Sequence, residues 1–139
     1  MKTLSFIFLT VVIAFSASHA AAAEKKIVLI AGRPSHPSGE HEHRAGCLLL
    51  QKCLAATPGI DVVVYDNGWP SKLVGGKAVD DNAALEDAAA IVIYSDGEGG
   101  HPALVRDHLE VLAKLVKQGA GIGCLHYAVE PLTDKGHDE

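Results

Sequence analysis

The chain is 139 residues long, 48% hydrophobic and 21% charged, a globular balance that excludes a disordered tail, a collagen-like repeat and a disulfide-dense miniprotein. Aromatic residues make up only 5%, and the weight of Ala, Val, Leu, Ile and Gly suits a layered α/β core in one domain. A formal net charge of −5 argues against a nucleic-acid partner, whose phosphates need a positive face.

Met1 and Lys2 open a leader in which Leu4 to Phe15 form an apolar run broken only by Ser5 and Thr10. Small residues follow, and Ala21-Ala22-Ala23 offers a cleavage site before Glu24. About a dozen apolar residues fall short of the roughly 20 that span a bilayer. Residues 1–23 therefore read as a signal peptide. The protein is expected in the periplasm or outside the cell, with no stable membrane span after the leader is removed. Residues 25–139 form the mature domain. Its cysteines are Cys47, Cys53 and Cys124. Cys47 and Cys53 fall on one predicted helix roughly 9 Å apart, beyond the disulfide limit of about 7 Å. All three read as small buried hydrophobes.

Lys26 to Ala31 is a continuous apolar run of strand length, stopped by Gly32-Arg33-Pro34-Ser35. His43 to Ala56 reads as a helix with Leu48, Leu49 and Cys53 on one side, ended by Thr57-Pro58-Gly59. Ile60 to Tyr65 is a second strand, and Trp69 to Asp81 has no clear periodicity. Asn82 to Ala88 reads as a short helix and Ala90 to Tyr94 as a third strand. A helix follows from Pro102 to Gln118, with Leu104, Leu109, Leu112, Leu115 and Val116 inward and Gly119 past its end. Gly121 to Leu125 is a fourth strand. Strands apolar throughout and separated by helices imply a parallel sheet covered on both faces, hence a three-layer flavodoxin-like α/β sandwich. No further apolar run follows in 126–139, so the expectation is the N-terminal part of a longer, C-terminally truncated domain; a compact four-strand protein is the alternative.

Ligands of an open parallel sheet bind beyond the carboxyl ends of its strands. Three polar clusters fall there: residues 35–44 (SHPSGEHEHR), 95–101 (SDGEGGH) and 126–130 (HYAVE). Of eight histidines, His19 belongs to the leader, while His36, His41, His43, His101 and His126 all lie in these clusters. That concentration is the main pointer to a site. Glu40, His41, Glu42 and His43 offer imidazole and carboxylate donors that suit zinc or a similar ion. Their spacing is not that of H-E-x-x-H. On a helix, histidines two apart diverge by about 200°, although in an extended loop they can converge. A polar helix start is the alternative, so no metal ligand set is assigned, and no cofactor is read. The 97–100 loop lacks both G-x-G-x-x-G and the phosphate-loop lysine and reads as a tight connection, with Asp96 and His101 beside the pocket. Cys124-Leu125-His126-Tyr127-Ala128 fits a nucleophile-elbow turn with His126 at its apex and Cys124 within the strand.

The segments KIVLIAGRPSHPSGEHEHRAG, VVVYDNGWP, AIVIYSDGEGGHP and GIGCLHYAVE together resemble the ThuA-like family, the trehalose-utilisation protein type. The resemblance covers most of residues 25–130. It implies the class I glutamine amidotransferase-like fold, a pocket at the strand ends and a link to carbohydrate metabolism. Amidotransferase relatives carry a cysteine at the elbow; ThuA-like members typically have histidine there, and His126 matches it, so glutaminase activity is not implied. The expectation is an exported protein that acts on or binds a small carbohydrate or polyol, with no oligomeric state implied. His126 would act as general acid/base, since imidazole titrates near neutral pH. Glu40 or Asp96 would orient it, and His36, His41, His101 and Tyr127 would shape the substrate pocket. The alternatives are a non-catalytic carbohydrate-binding module and a metal-dependent hydrolase centred on His41 and His43.

Overall fold

The computed structural model describes residues 24–130. The signal-peptide reading of 1–23, and residues 131–139, lie outside the described residues. In chain order the elements are β1 (Lys25–Ala31), α1 (His43–Leu54), β2 (Ile60–Tyr65), β3 (Ser71–Val74), β4 (Lys77–Asp80), β5 (Ala88–Tyr94), α2 (His108–Lys117) and β6 (Gly121–Leu125), with short 3-10 turns between several of them.

The branched apolar runs pair as one four-stranded sheet in the order β2-β1-β5-β6, with every neighbouring pair parallel. Alternate residues serve opposite faces, as the two-residue strand period requires. Val28, Ile30, Ile91 and Ile93 meet Leu112 and Leu115 of α2 on one face, while Leu29 and Ala31 meet Cys47 of α1 on the other. This four-stranded parallel α/β sheet, with a helix on each face, is compatible with a flavodoxin-like sandwich. From β1 the chain first steps to β2, then returns across β1 to β5 and β6. Connections therefore diverge between the carboxyl ends of β1 and β5, the crevice where ligands of such sheets bind.

Four local expectations need correction. Trp69 to Asp81 is not wholly irregular, because β3 and β4 pair antiparallel with Val74 opposite Lys77. Gly75 and Gly76, at φ +58° and +78°, supply the two left-handed residues of a tight hairpin turn. The inward stripe of α1 is His43, Cys47 and Leu50, at helical spacing, whereas Leu48 and Leu49 are exposed. Pro102 opens only a 3-10 turn, Pro102–Leu104, and α2 begins at His108, after the left-handed Arg106. The short helix expected at Asn82 is likewise a 3-10 turn, Asn82–Leu85. Among the described residues no helix is long and apolar enough to cross a membrane.

Candidate functional site

Two close backbone approaches build the site. The Gly32 N–H donates to Tyr94 O at 2.8 Å, locking the end of β1 to the end of β5. The Glu98 N–H donates to Glu130 O at 3.0 Å, drawing the loop after β5 onto the turn after β6. That second approach needs Gly97, since a Cβ there would stand 2.7 Å from the carbonyl oxygens of Tyr127 and Glu130.

Four side chains then converge from three strand ends. His41 Nδ1 lies 2.6 Å from Asp96 Oδ1, and His43 Nε2 lies 3.5 Å from the same oxygen. The His126 ring stands 4.7 Å from that of His41 and 5.9 Å from that of His43, centroid to centroid. One potential ligand atom from each of His41, His43, Asp96 and His126 falls within 4.8 Å of the others. His41 precedes α1 in a left-handed conformation (φ +40°), and the His43 N–H donates back to His41 O at 2.7 Å. This turn lets histidines two apart face one centre, which a regular helix forbids. His126 follows β6 at φ +62° and opens the 3-10 turn His126–Val129, the sharp strand-to-turn geometry of an elbow.

His43 is the unusual member. It occupies the first turn of the inward stripe of α1, is only 2% exposed, and neither ring nitrogen makes a hydrogen bond of full geometry, although the Arg33 backbone stands close enough to favour the charged ring. The 3.5 Å approach to Asp96 is an ion-pair distance without hydrogen-bond geometry. Burial pushes the His43 imidazole below its usual range, and the nearby Asp96 carboxylate only partly opposes this. For Asp96, burial raises the pKa, but hydrogen bonds from Ser35 and His41 together with the adjacent imidazoles outweigh it and hold the carboxyl low. The result is a carboxylate within reach of three imidazoles, a donor set that fits a divalent transition metal.

The other sequence-predicted residues divide. His36 stacks beside His41, with centroids 3.8 Å apart, and Tyr127 stands 4.4 Å from His126 at the exposed rim. Glu40 is exposed and makes no side-chain hydrogen bond among the described residues, so Asp96 rather than Glu40 holds an imidazole in place. His101 is buried; its Nε2 donates to Ala128 O at 3.0 Å and its Nδ1 accepts from the Ala103 N–H at 3.0 Å. Nε2 thus braces the turn after β6, while Nδ1 caps the 3-10 turn Pro102–Leu104. Cys124 lies within β6 opposite Ile93, with its thiol pKa raised by burial, and Cys47 is pushed up to about 11 in the same way. Neither is an activated nucleophile, and all three cysteines are free.

A hollow of about 440 Å³ opens beside the cluster, and Asp96 lines it together with Arg33, Ser35, Asn67 and Trp69. Its far wall was not foreseen in the sequence. The Trp69 indole stacks on His108 at 4.0 Å and 6°, while Asp80 binds both His108 Nε2 (3.0 Å) and Arg106 (2.6 Å). The oxygen that Asp80 presents is therefore already occupied, and hydrogen bonding to His108, with Arg106 beside it, holds the carboxyl below its usual range against burial. A larger hollow of about 680 Å³ sits at the amino ends of β1 and β5, lined by Lys25, Ala88 and Lys114, and contains none of the histidines.

These environments fix the sign of an acid response. Burial lowers the His101 pKa below 6.5, as it does for His43, so the unfolded chain binds protons first. Folding stability is then intact above about pH 6.5 and declines as the pH falls from there through the folded values. Asp80 and Asp96, both lowered, add a second loss at more acid pH, below the ordinary carboxylate range. Urea midpoints of metal-free protein measured from pH 8 to pH 5 should fall below pH 6.5; a flat profile would contradict the burial of these rings.

Comparison with protein-family models, with curated proteins and with solved structures finds no match to this chain, so its reading rests on the residues and their geometry.

Proposed function

We propose that the chain is an exported ThuA-like protein with the class I glutamine amidotransferase-like fold. In this reading it holds a divalent transition metal on His41, His43, Asp96 and His126, and it acts on a small sugar or polyol in the adjoining hollow. The observation that carries the metal is His43. A buried polar ring whose nitrogens lack well-formed hydrogen bonds loses on the order of 1–3 kcal/mol per unsatisfied group, and a bound ion would satisfy one of them, Nε2, which faces Asp96. The placement at the β1/β5 crevice supports a ligand site, and the segments resembling the ThuA-like family support carbohydrate as the substrate class. A bound ion would supply Lewis-acid polarisation of a substrate oxygen. Asp96 orients His41, and Tyr127 offers a hydroxyl at the mouth.

The test is a titration of chelator-treated, desalted protein with zinc. Saturable one-to-one binding is expected. At 100 times the dissociation constant it should stabilise the fold by about 2.7 kcal/mol, a rise on the order of 10 °C in the melting midpoint. Absence of saturable binding would end the metal reading. One observation keeps a second reading in view: His126 is exposed at a left-handed elbow position with Tyr127 against it. That is the placement of a metal-free general acid/base, and turnover by a demonstrably metal-free sample would favour it. Sugar binding without any turnover would instead favour a non-catalytic carbohydrate-binding module.

A further inference from the structure

We propose that the hollow takes an acidic sugar, a polyhydroxylated small molecule bearing one carboxylate, and that Arg33 receives the carboxylate. The inference deepens the reading above and rests on it for the sugar class alone. Arg33 stands two residues past β1, is exposed, and lines the hollow that Asp96 shares with the histidine cluster. The other arginine of the lining, Arg106, is already ion-paired to Asp80 at 2.6 Å. Arg44, in the first turn of α1, is paired to Asp66 at 2.8 Å. Arg33 has no hydrogen-bonding or ion-pairing side-chain partner among the described residues, so the hollow contains one uncompensated guanidinium.

The charge balance selects a monoanion. Asp80 is already occupied by Arg106 and His108 and Asp96 by the histidine cluster, so Arg33 brings one unspent positive charge to the hollow, which one carboxylate offsets. A single guanidinium fork matches the two oxygens of one carboxylate. Ser35 and Asn67, in the same wall, provide hydroxyl and amide groups for a polyol, and a hollow of about 440 Å³ is of the size that holds small organic ligands. Asp96 lies between this wall and the histidines, so a molecule anchored at Arg33 presents its remaining oxygens to the cluster.

Calorimetric titrations of the whole protein with D-glucuronate, D-glucose and D-glucose 6-phosphate, each with and without added zinc, test this. Glucuronate is expected to bind on the order of tenfold or more tightly than glucose. Arg33→Gln should remove that preference while leaving zinc stoichiometry unchanged. Arg33→Lys should restore part of it. Equal binding of glucuronate and glucose, no glucuronate binding, tighter binding of the phosphate ester, or an unaltered preference in Arg33→Gln would each overturn the proposal. Retention of the glucuronate preference in protein that binds no zinc would overturn the metal centre and uphold the anion pocket.

Discussion

A His43→Leu variant, stripped of metal, is expected to be more stable than the equally stripped wild type, by about 1–3 kcal/mol in urea unfolding. The same substitution should weaken zinc binding by at least about 100-fold, since loss even of groups that merely orient ligands costs 10–100-fold. The two effects share one cause. His43 sits on the buried stripe of α1 with Cys47 and Leu50, where an aliphatic side chain fits the surroundings and carries no polar atom to desolvate. A purely structural histidine would behave oppositely, because its removal would break a hydrogen bond and lower stability. A less stable metal-free His43→Leu protein would therefore show that the ring serves the fold rather than an ion.

Gly32→Ala should be among the most damaging single-methyl changes near the site. A Cβ at this position would stand 2.6 Å from Ser95 Cβ, 2.9 Å from Ser95 Cα and 3.1 Å from His43 Nδ1. Ser95 is fully buried and two of those atoms belong to or adjoin backbone, so the ends of β1 and β5 must part. Overpacking of this kind costs about 1–3 kcal/mol and sometimes more, and here it also pushes the β1 loop and its histidines away from Asp96. Urea unfolding and zinc titration should both report the loss. Gly39→Ala is the control: its φ is +93° but nothing lies within 4 Å of the added methyl, so it tests backbone strain without a clash. Equal effects of the two substitutions would refute the steric argument.

The parallel sheet was legible because β1, β2 and β5 are short, largely apolar runs bounded by Gly, Pro or Asp, whereas β6 (GIGCL) lies at the sheet edge and is partly exposed. The β3–β4 hairpin was not, since Ser71 to Val74 and Lys77 to Val79 are exposed throughout and carry no core-facing pattern. Gly75-Gly76 between two short segments was the signal that could have shown it. The inward face of α1 was misjudged for a related reason. Leu48 and Leu49 are more apolar than His43, yet the stripe is set by where the helix meets β1 and β2 rather than by hydropathy alone.

The histidines that follow three strands come together at the carboxyl end of the sheet, where His126 and Asp96 meet His41. Which carboxylate joins them was beyond the sequence. Glu40 and Asp96 have the same chemistry, and only the turn at His41, together with the β1–β5 register, decides between them. His43 was named with the metal alternative but not among the site residues, because its isolation from hydrogen-bond partners emerges only once α1 is docked. Arg33 and the wall of Trp69, Asp80 and His108 come from segments far apart in the chain, and no local spacing announces them.

The left-handed backbone at His41 and His126 has an evolutionary consequence. An L side chain held there costs about 1–2 kcal/mol that glycine would largely avoid. A lineage released from the need for these two rings would thus gain stability by drifting to glycine or asparagine at both positions. Retention of imidazole at 41 and 126 in a descendant would record continuing selection for what the rings do, and joint loss would date the end of that selection.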